Sequence, residues 1–182
     1  MYKISMEGFR LSPQQRHLSA LQQAEKLFPY QVHYAVRLEG LLNVSCLRRA
    51  LEQLVDRYEI LRTSFPCLPG LTLPVQVISA DIPLPLAIHD WSSLSSHEQE
   101  EALLQLRETA RNQSFTLEDG PLWQMTLVTC DIEHHWLLWD LSGLCADAQT
   151  CHALLLEFSQ LYTRGVIGEE EGREEPLQYA DL

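Results

Sequence analysis

HHWLLWDLSGLCADAQT, residues 134–150, is the stretch whose reading decides the fold. It opens on two histidines, runs through an apolar block, and ends on small and polar residues around Asp147. HWLLWDLS (135–142) has the length and the tryptophan and leucine content of a buried strand. The segment beyond it, from Asp147 through CHALLLEFSQLY, places Leu154, Leu155, Phe158 and Leu161 at helical spacing. A strand therefore ends and a helix begins within SGLCADAQT (142–150). Just upstream, LWQMTLVTCD (122–131) reads as a second strand, joined to the first by the short polar turn IEHH as an antiparallel hairpin. His134 and His135 then stand at the turn, roughly 25 Å from the other end of their strand at ~3.3 Å per residue. They cannot act together with Asp147, and they read as turn histidines facing solvent.

Working outward toward the N-terminus, SPQQ announces a helix: Ser12 as cap, Pro13 at the first helical position and Gln15 closing a capping box. A short strand over Gly8–Leu11 precedes it. PYQVHYAVRLEG (29–40) alternates Val32, Tyr34, Val36 and Leu38 with other residues, which is a strand pattern. Asn43 caps a long helix, NVSCLRRALEQLVDRYEILRTSF, whose stripe of Leu47, Ala50, Leu51, Leu54, Val55, Tyr58 and Leu61 leads on to Arg62. A guanidinium on that face either finds a partner, because an unpaired buried charge is costly, or snorkels to water where the helix frays. Residues 63–92 are rich in proline and read as loops and short edge strands, with LPVQVIS (73–79) the best of them. SSLSSHEQEEALLQLRETARNQSF (92–115) reads as a helix with an exposed acidic face. Alternating helices and strands with a hairpin inside the series predict an open two-layer α/β sandwich with a mixed β-sheet, rather than a doubly wound parallel one.

The chain's 182 residues, 46% hydrophobic and 21% charged, suffice for one domain with a substantial core. No apolar run approaches the ~20 residues of a membrane span, and MYKISMEGFR lacks the apolar core of a secretory signal, so a cytoplasmic location is expected. A net charge of −12 argues against nucleic acid, whose binding is driven by basic groups at phosphates. Residues 164–176, with the run EEEGREE, are expected to form an acidic loop or linker. Five cysteines without a CxxC pair read as free, mostly buried thiols, and no spacing suits a metal centre.

Chemistry is expected at SGLCADAQT, because loops leaving strand ends toward helices are where α/β folds place function. Asp147 can cap the last helix, a role worth about 1 kcal/mol. It can equally pair with Arg62. Cys145 as a nucleophile needs a nearby base, and His152, about two helical turns away, is poorly placed.

Four stretches together resemble the condensation domains of nonribosomal peptide synthetases. FRLSPQQRHLSALQ (9–22) is similar to the family's L-S-x-x-Q-x-x-L-W, and RYEILRTSF (57–65) is similar to R-H-E-x-L-R-T-x-F, departing only at Tyr58. SGLCADAQT resembles H-H-x-x-x-D-G-x-S at Asp147 and, loosely, Thr150; LQYADL (177–182) resembles the start of Q-Y-x-D-[YF]-A-x-W-Q. The resemblance implies a chloramphenicol-acetyltransferase-like N-terminal lobe, one of two that form a V. Donor and acceptor thioesters would enter on phosphopantetheine arms of acyl or peptidyl carrier proteins, so no cofactor is bound directly. The chain would stop short of the C-terminal lobe and of the neighbouring synthetase domains, and the isolated lobe is expected to self-associate through the apolar surface it exposes.

Carried over by residue, the resemblance implies that Asp147 makes a structural salt bridge to Arg62. It also puts Ser142 and Gly143 where the family has its two histidines. Neither supplies a base near neutral pH. Ala148 stands at the family's glycine, beside the expected path of the pantetheine arm, and with Cys145 and Thr150 it would line the tunnel. The reading that follows is a condensation lobe of altered or absent activity. A carrier-docking or gating module and a coenzyme A-dependent acyltransferase of the same superfamily are the rivals.

Overall fold

The structure, a computed structural model, describes residues 8–24 and 30–169. The chain order is β1 (Gly8–Phe9), α1 (Pro13–Ala24), β2 (Gln31–Glu39), α2 (Val44–Arg57), a 3-10 turn (Glu59–Arg62), β3 (Thr63–Ser64), β4 (Gln76–Ile78), β5 (Leu86–Asp90), α3 (Ser96–Asn112), β6 (Trp123–Thr129), β7 (His134–Ser142) and α4 (Ala148–Ile167). The main sheet has the order β2-β7-β6-β5. β7 pairs antiparallel with both β2 and β6, while β5 runs parallel to β6, so the sheet is mixed as expected. A small sheet, β1-β4-β3, is antiparallel throughout.

Strand alternation sorts the two faces of the main sheet. Leu137, Trp139 and Leu141 of β7, with Trp123, Met125 and Leu127 of β6, join Leu47, Leu51 and Leu54 of α2 and Leu154, Phe158 and Leu161 of α4 in one core. Trp123 and Trp139 meet edge to face with ring centroids 6.0 Å apart, and Trp123 Nε1 donates to the Leu61 carbonyl at 2.6 Å. That bond satisfies the one polar atom of a buried indole and ties the sheet to the 3-10 turn. On the other face, Leu138 and Asp140 look toward Arg107, Ala110 and Arg111 of α3.

The predicted caps form. Ser12 Oγ accepts from the Gln15 amide at 3.1 Å, and Gln15 Oε1 accepts from the Ser12 amide at 3.0 Å. Asn43 Oδ1 accepts from the Cys46 amide at 3.0 Å. α3 begins with a full capping box between Ser95 and Glu98.

Several elements are shorter than expected, among them β1, β4 and α3, and the largest difference is at the end of α2. The helix expected from Asn43 through Phe65 ends at Arg57. Tyr58 leaves the helical conformation at φ −112°, ψ 101°, and the chain continues as the 3-10 turn Glu59–Arg62. The boundary coincides with a contact far away in sequence. Glu157 of α4 accepts hydrogen bonds from both Arg57 and the Tyr58 hydroxyl, which anchors the end of α2 against α4. Burial, and then that bond to Glu157, push the Tyr58 hydroxyl up to about 12. The acidic loop expected over 164–176 begins later than expected, because α4 continues to Ile167 and closes on Gly168 with φ 77°; residues 170–176 and LQYADL lie outside the described residues.

Candidate functional site

The site is the junction where β7 becomes α4. Hydrogen bonds from three neighbouring segments hold it. The Ser142 amide donates to the Leu122 carbonyl at 2.8 Å, and the Gly143 amide donates to the Tyr30 carbonyl at 2.7 Å. The chain then turns on Ser142, whose carbonyl accepts from the Cys145 and Ala146 amides at 2.9 and 3.2 Å. The Ser142 hydroxyl is buried and accepts from the Leu144 amide at 3.3 Å, so it is part of the turn. α1 reaches the same turn: Gln15 Nε2 donates to the Leu144 carbonyl at 3.1 Å and to Gln76 Oε1 at 3.3 Å. Gln76 Nε2 in turn holds the Arg10 carbonyl at 2.9 Å.

Gly143 sits tight against its neighbour. A Cβ placed there would lie 3.1 Å from the Tyr30 carbonyl oxygen and 3.4 Å from the Tyr30 Cβ. The close approach of two backbones, rather than an unusual dihedral, is what glycine provides here.

Asp147 caps α4. Its Oδ1 accepts from the Thr150 amide at 2.8 Å, and that bond holds its carboxyl below the ordinary carboxylate range. Asp147, Ala148 and Thr150 are exposed at the start of the helix, and the Ala148 carbonyl accepts from the Tyr34 hydroxyl at 2.8 Å.

The expected ion pair between Arg62 and Asp147 is not formed. Arg62 donates to the Ser79 carbonyl at 2.9 Å and has Glu59 at 3.7 Å. The shortened α2 explains the difference: Arg62 belongs to a 3-10 turn with local acceptors of its own, and Asp147 is an exposed cap instead of a buried carboxylate. Cys145 also departs from a tunnel-lining role. It is buried in the core, where loss of water, and then the neighbouring Cys151, push its thiol up to about 12. Burial likewise raises Cys151 to about 11. Neither thiol is a nucleophile near neutral pH.

The opening histidines divide. His134 bonds the Asp131 carboxylate at 2.9 Å beside the turn. His135, expected in solvent, is buried with its Nδ1 3.3 Å from Thr129 Oγ1 and its Nε2 without a partner. Its parity on β7 is that of Leu137 and Trp139, which turns it inward. Among the described residues no cluster of histidine, cysteine and carboxylate side chains could hold a metal ion, and no helix is long and apolar enough to cross a membrane.

Four residues at or near this architecture carried no long-range signal in the sequence. Gln15 is legible only as half of a capping box, Tyr30 and Glu157 as ordinary strand and helix residues, and His33 as a polar residue on a half-buried strand.

The order of these elements, with the capped strand-to-helix junction at its centre, agrees with known proteins. Residues 7–181 match the condensation-domain family. The chain belongs to that family. Over 156 residues it is 32% identical to the chondramide synthase cmdD of Chondromyces crocatus, an alignment covering 84% of this chain and 4% of that protein. Over 157 residues it is 31% identical to the beauvericin nonribosomal cyclodepsipeptide synthetase of Beauveria bassiana, covering 84% of this chain and 5% of the relative. Among solved structures, the X-domain in its complex with OxyB from teicoplanin biosynthesis is similar with a TM-score of 0.80 at 25% identity, over 99% of this chain and 38% of the other. The mixed α/β architecture is the condensation-domain, chloramphenicol-acetyltransferase-like one. The chain thus spans a few per cent of the synthetases it matches and under half of the solved domain.

Proposed function

We propose that this condensation-domain chain is an N-terminal lobe that brings two carrier-tethered thioesters together for amide formation without a resident base. The observation that carries the reading is the closure at Gly143, where the amide is 2.7 Å from the Tyr30 carbonyl and a side chain would begin 3.1 Å from the same oxygen. In the family motif this position holds the histidine credited with positioning or deprotonating the attacking amine. Ser142, at the other histidine position, has its hydroxyl committed to the turn.

Amide formation from a thioester is intrinsically downhill, and holding two tethered reactants in register supplies up to roughly 7–11 kcal/mol of the barrier by proximity alone. Phosphopantetheine would be contributed by the carrier proteins. A C-terminal lobe would complete the channel between the two arms. Asp147 contributes by fixing the first turn of α4, and the exposed Ala148 and Thr150 beside it are the motif positions open to an arm entering at that end.

The experiment is transfer between loaded donor and acceptor carriers by the intact parent chain. Peptide transfer is expected, at a rate that does not show an imidazole-controlled limb with pH. Gly143→His is expected to leave transfer unimproved, because the new Cβ meets backbone. Binding of both carriers with no transfer would replace this reading with a docking or gating module. That second reading has support in the likeness to the X-domain, whose structure was solved in complex with OxyB. Transfer from coenzyme A thioesters with no carrier present would favour a free-standing acyltransferase.

A further inference from the structure

The sheet face opposite the core carries a second cluster that the condensation reading leaves unused. His33 of β2 and Asp140 of β7 are register partners, and their side chains meet with Nδ1 2.8 Å from Oδ1. Asp140 is 7% exposed and His33 30%. The second Asp140 oxygen accepts from Gln124 Nε2 of β6 at 3.2 Å. An ionised carboxylate only accepts, so Nδ1 carries the proton of that bond and Nε2 is left as the free end of the imidazole. Arg107 and Arg111, one turn apart on α3, line the same cleft with His33 and Asp140. Neither guanidinium has an ion-pair or hydrogen-bond partner among the described residues.

This is a local reversal of charge in a chain with 25 acidic and 13 basic side chains. What sets these two apart is their place: both line a cleft whose single carboxylate already has both oxygens engaged. Two guanidinium forks lining the same cleft as the imidazole form a donor set with no matching acceptor among the described residues. The cluster is not a substitute for the missing base of the family motif, because alternation along β7 puts Asp140 on the face opposite Trp139 and Leu141, away from the core side.

We propose that this cleft is a binding site for a small free oxyanion, a carboxylate or a sulfate- or phosphate-like group. Arg107 and Arg111 supply the charge, and Asp140 holds His33 so that its Nε2 side meets the ligand. The proposal stands independently of the condensation reading.

The test is titration of the full chain with sodium sulfate and, in a separate arm, sodium acetate, following the His33 imidazole nitrogens by NMR against sodium chloride at matched ionic strength. Saturable movement of His33 Nε2 with sulfate assigns a tetrahedral oxyanion; with acetate alone, a carboxylate. Arg107→Gln/Arg111→Gln is expected to weaken binding at least about tenfold, equal to 1.4 kcal/mol. Arg48→Gln/Arg49→Gln, on the exposed surface of α2, is expected to leave it unchanged. The proposal is overturned if chloride produces the same shifts, if neither anion moves His33, or if the two double variants weaken binding equally while both keep the wild-type circular dichroism.

Discussion

Replacing Gln15 by leucine tests whether α1 is truly bolted to the strand-to-helix junction. Gln15 is 2% exposed and makes three bonds: to the Ser12 amide at 3.0 Å, the Leu144 carbonyl at 3.1 Å and Gln76 Oε1 at 3.3 Å. Leucine matches its size but leaves two buried acceptors empty, at about 1–3 kcal/mol each, with the longer Gln76 bond at the lower end. Loss of the reciprocal half of the capping box adds about 0.5 kcal/mol, and the extra apolar surface returns about 1 kcal/mol. The net expectation is a loss of about 3 kcal/mol. With a urea slope near 2 kcal/mol/M, the unfolding midpoint should drop by about 1.5 M. A cycle with Gln76→Leu should reveal coupling of about 0.5–1 kcal/mol, because the two amides share one bond. A loss under about 1 kcal/mol with no coupling would refute the account and make Gln15 only a helix cap.

Glu157→Ala should cost about 2 kcal/mol in chemical denaturation, because it strips a charged acceptor from both Arg57 and Tyr58. Asp147→Ala should cost only about 1 kcal/mol, the value of a cap, and a double-mutant cycle with Arg62→Ala should show coupling near zero. Because the folded carboxyl of Asp147 titrates below its ordinary 3.8, its contribution is present above that value and is lost as pH falls through the lower folded one. Acid unfolding profiles of Asp147→Asn should accordingly lack that last increment of pH dependence. Iodoacetamide at pH 8, read by mass spectrometry, should label the exposed Cys67 and spare Cys145 and Cys151, whose thiols are raised to about 12 and 11.

What was legible in the sequence was the chemistry that acts over a few residues. Ser12 and Gln15, Asn43 and the polar turn after Thr129 mark their elements because the groups they satisfy lie within one turn of the chain. The end of α2 was not legible. Its apolar stripe runs on to Leu61, while the residue at which the helix ends, Tyr58, bonds a carboxylate 99 residues away. The same distinction separates the two roles considered for Asp147. The cap uses an amide three residues along and forms, whereas the bridge to Arg62 depended on a helix phase that the Tyr58 break removes. His135 was misplaced for a different reason: proximity to a turn suggested solvent, but strand parity turns it inward beside Thr129.

On the proposed reading, position 143 is defined by its backbone surroundings, with the amide 2.7 Å from the Tyr30 carbonyl and a Cβ there beginning 3.1 Å from the same oxygen. At the strand-to-helix junction the Tyr30 carbonyl holds the Gly143 amide, the Ser142 hydroxyl accepts from the Leu144 amide, and the Leu144 carbonyl is held by α1. Every motif position whose side chain is buried here has a packing or hydrogen-bonding role, while Asp147, Ala148 and Thr150 remain at the surface. A turn secured from three directions resists local opening more than one secured by a single bond, since freeing it means breaking several bonds at once. If the proposed transfer holds, its rate enhancement comes from how firmly the junction holds two tethered chains relative to one another, so Gln15→Leu, which loosens it, should depress transfer more than Ser142→Ala, which changes only the chemical character of the motif position.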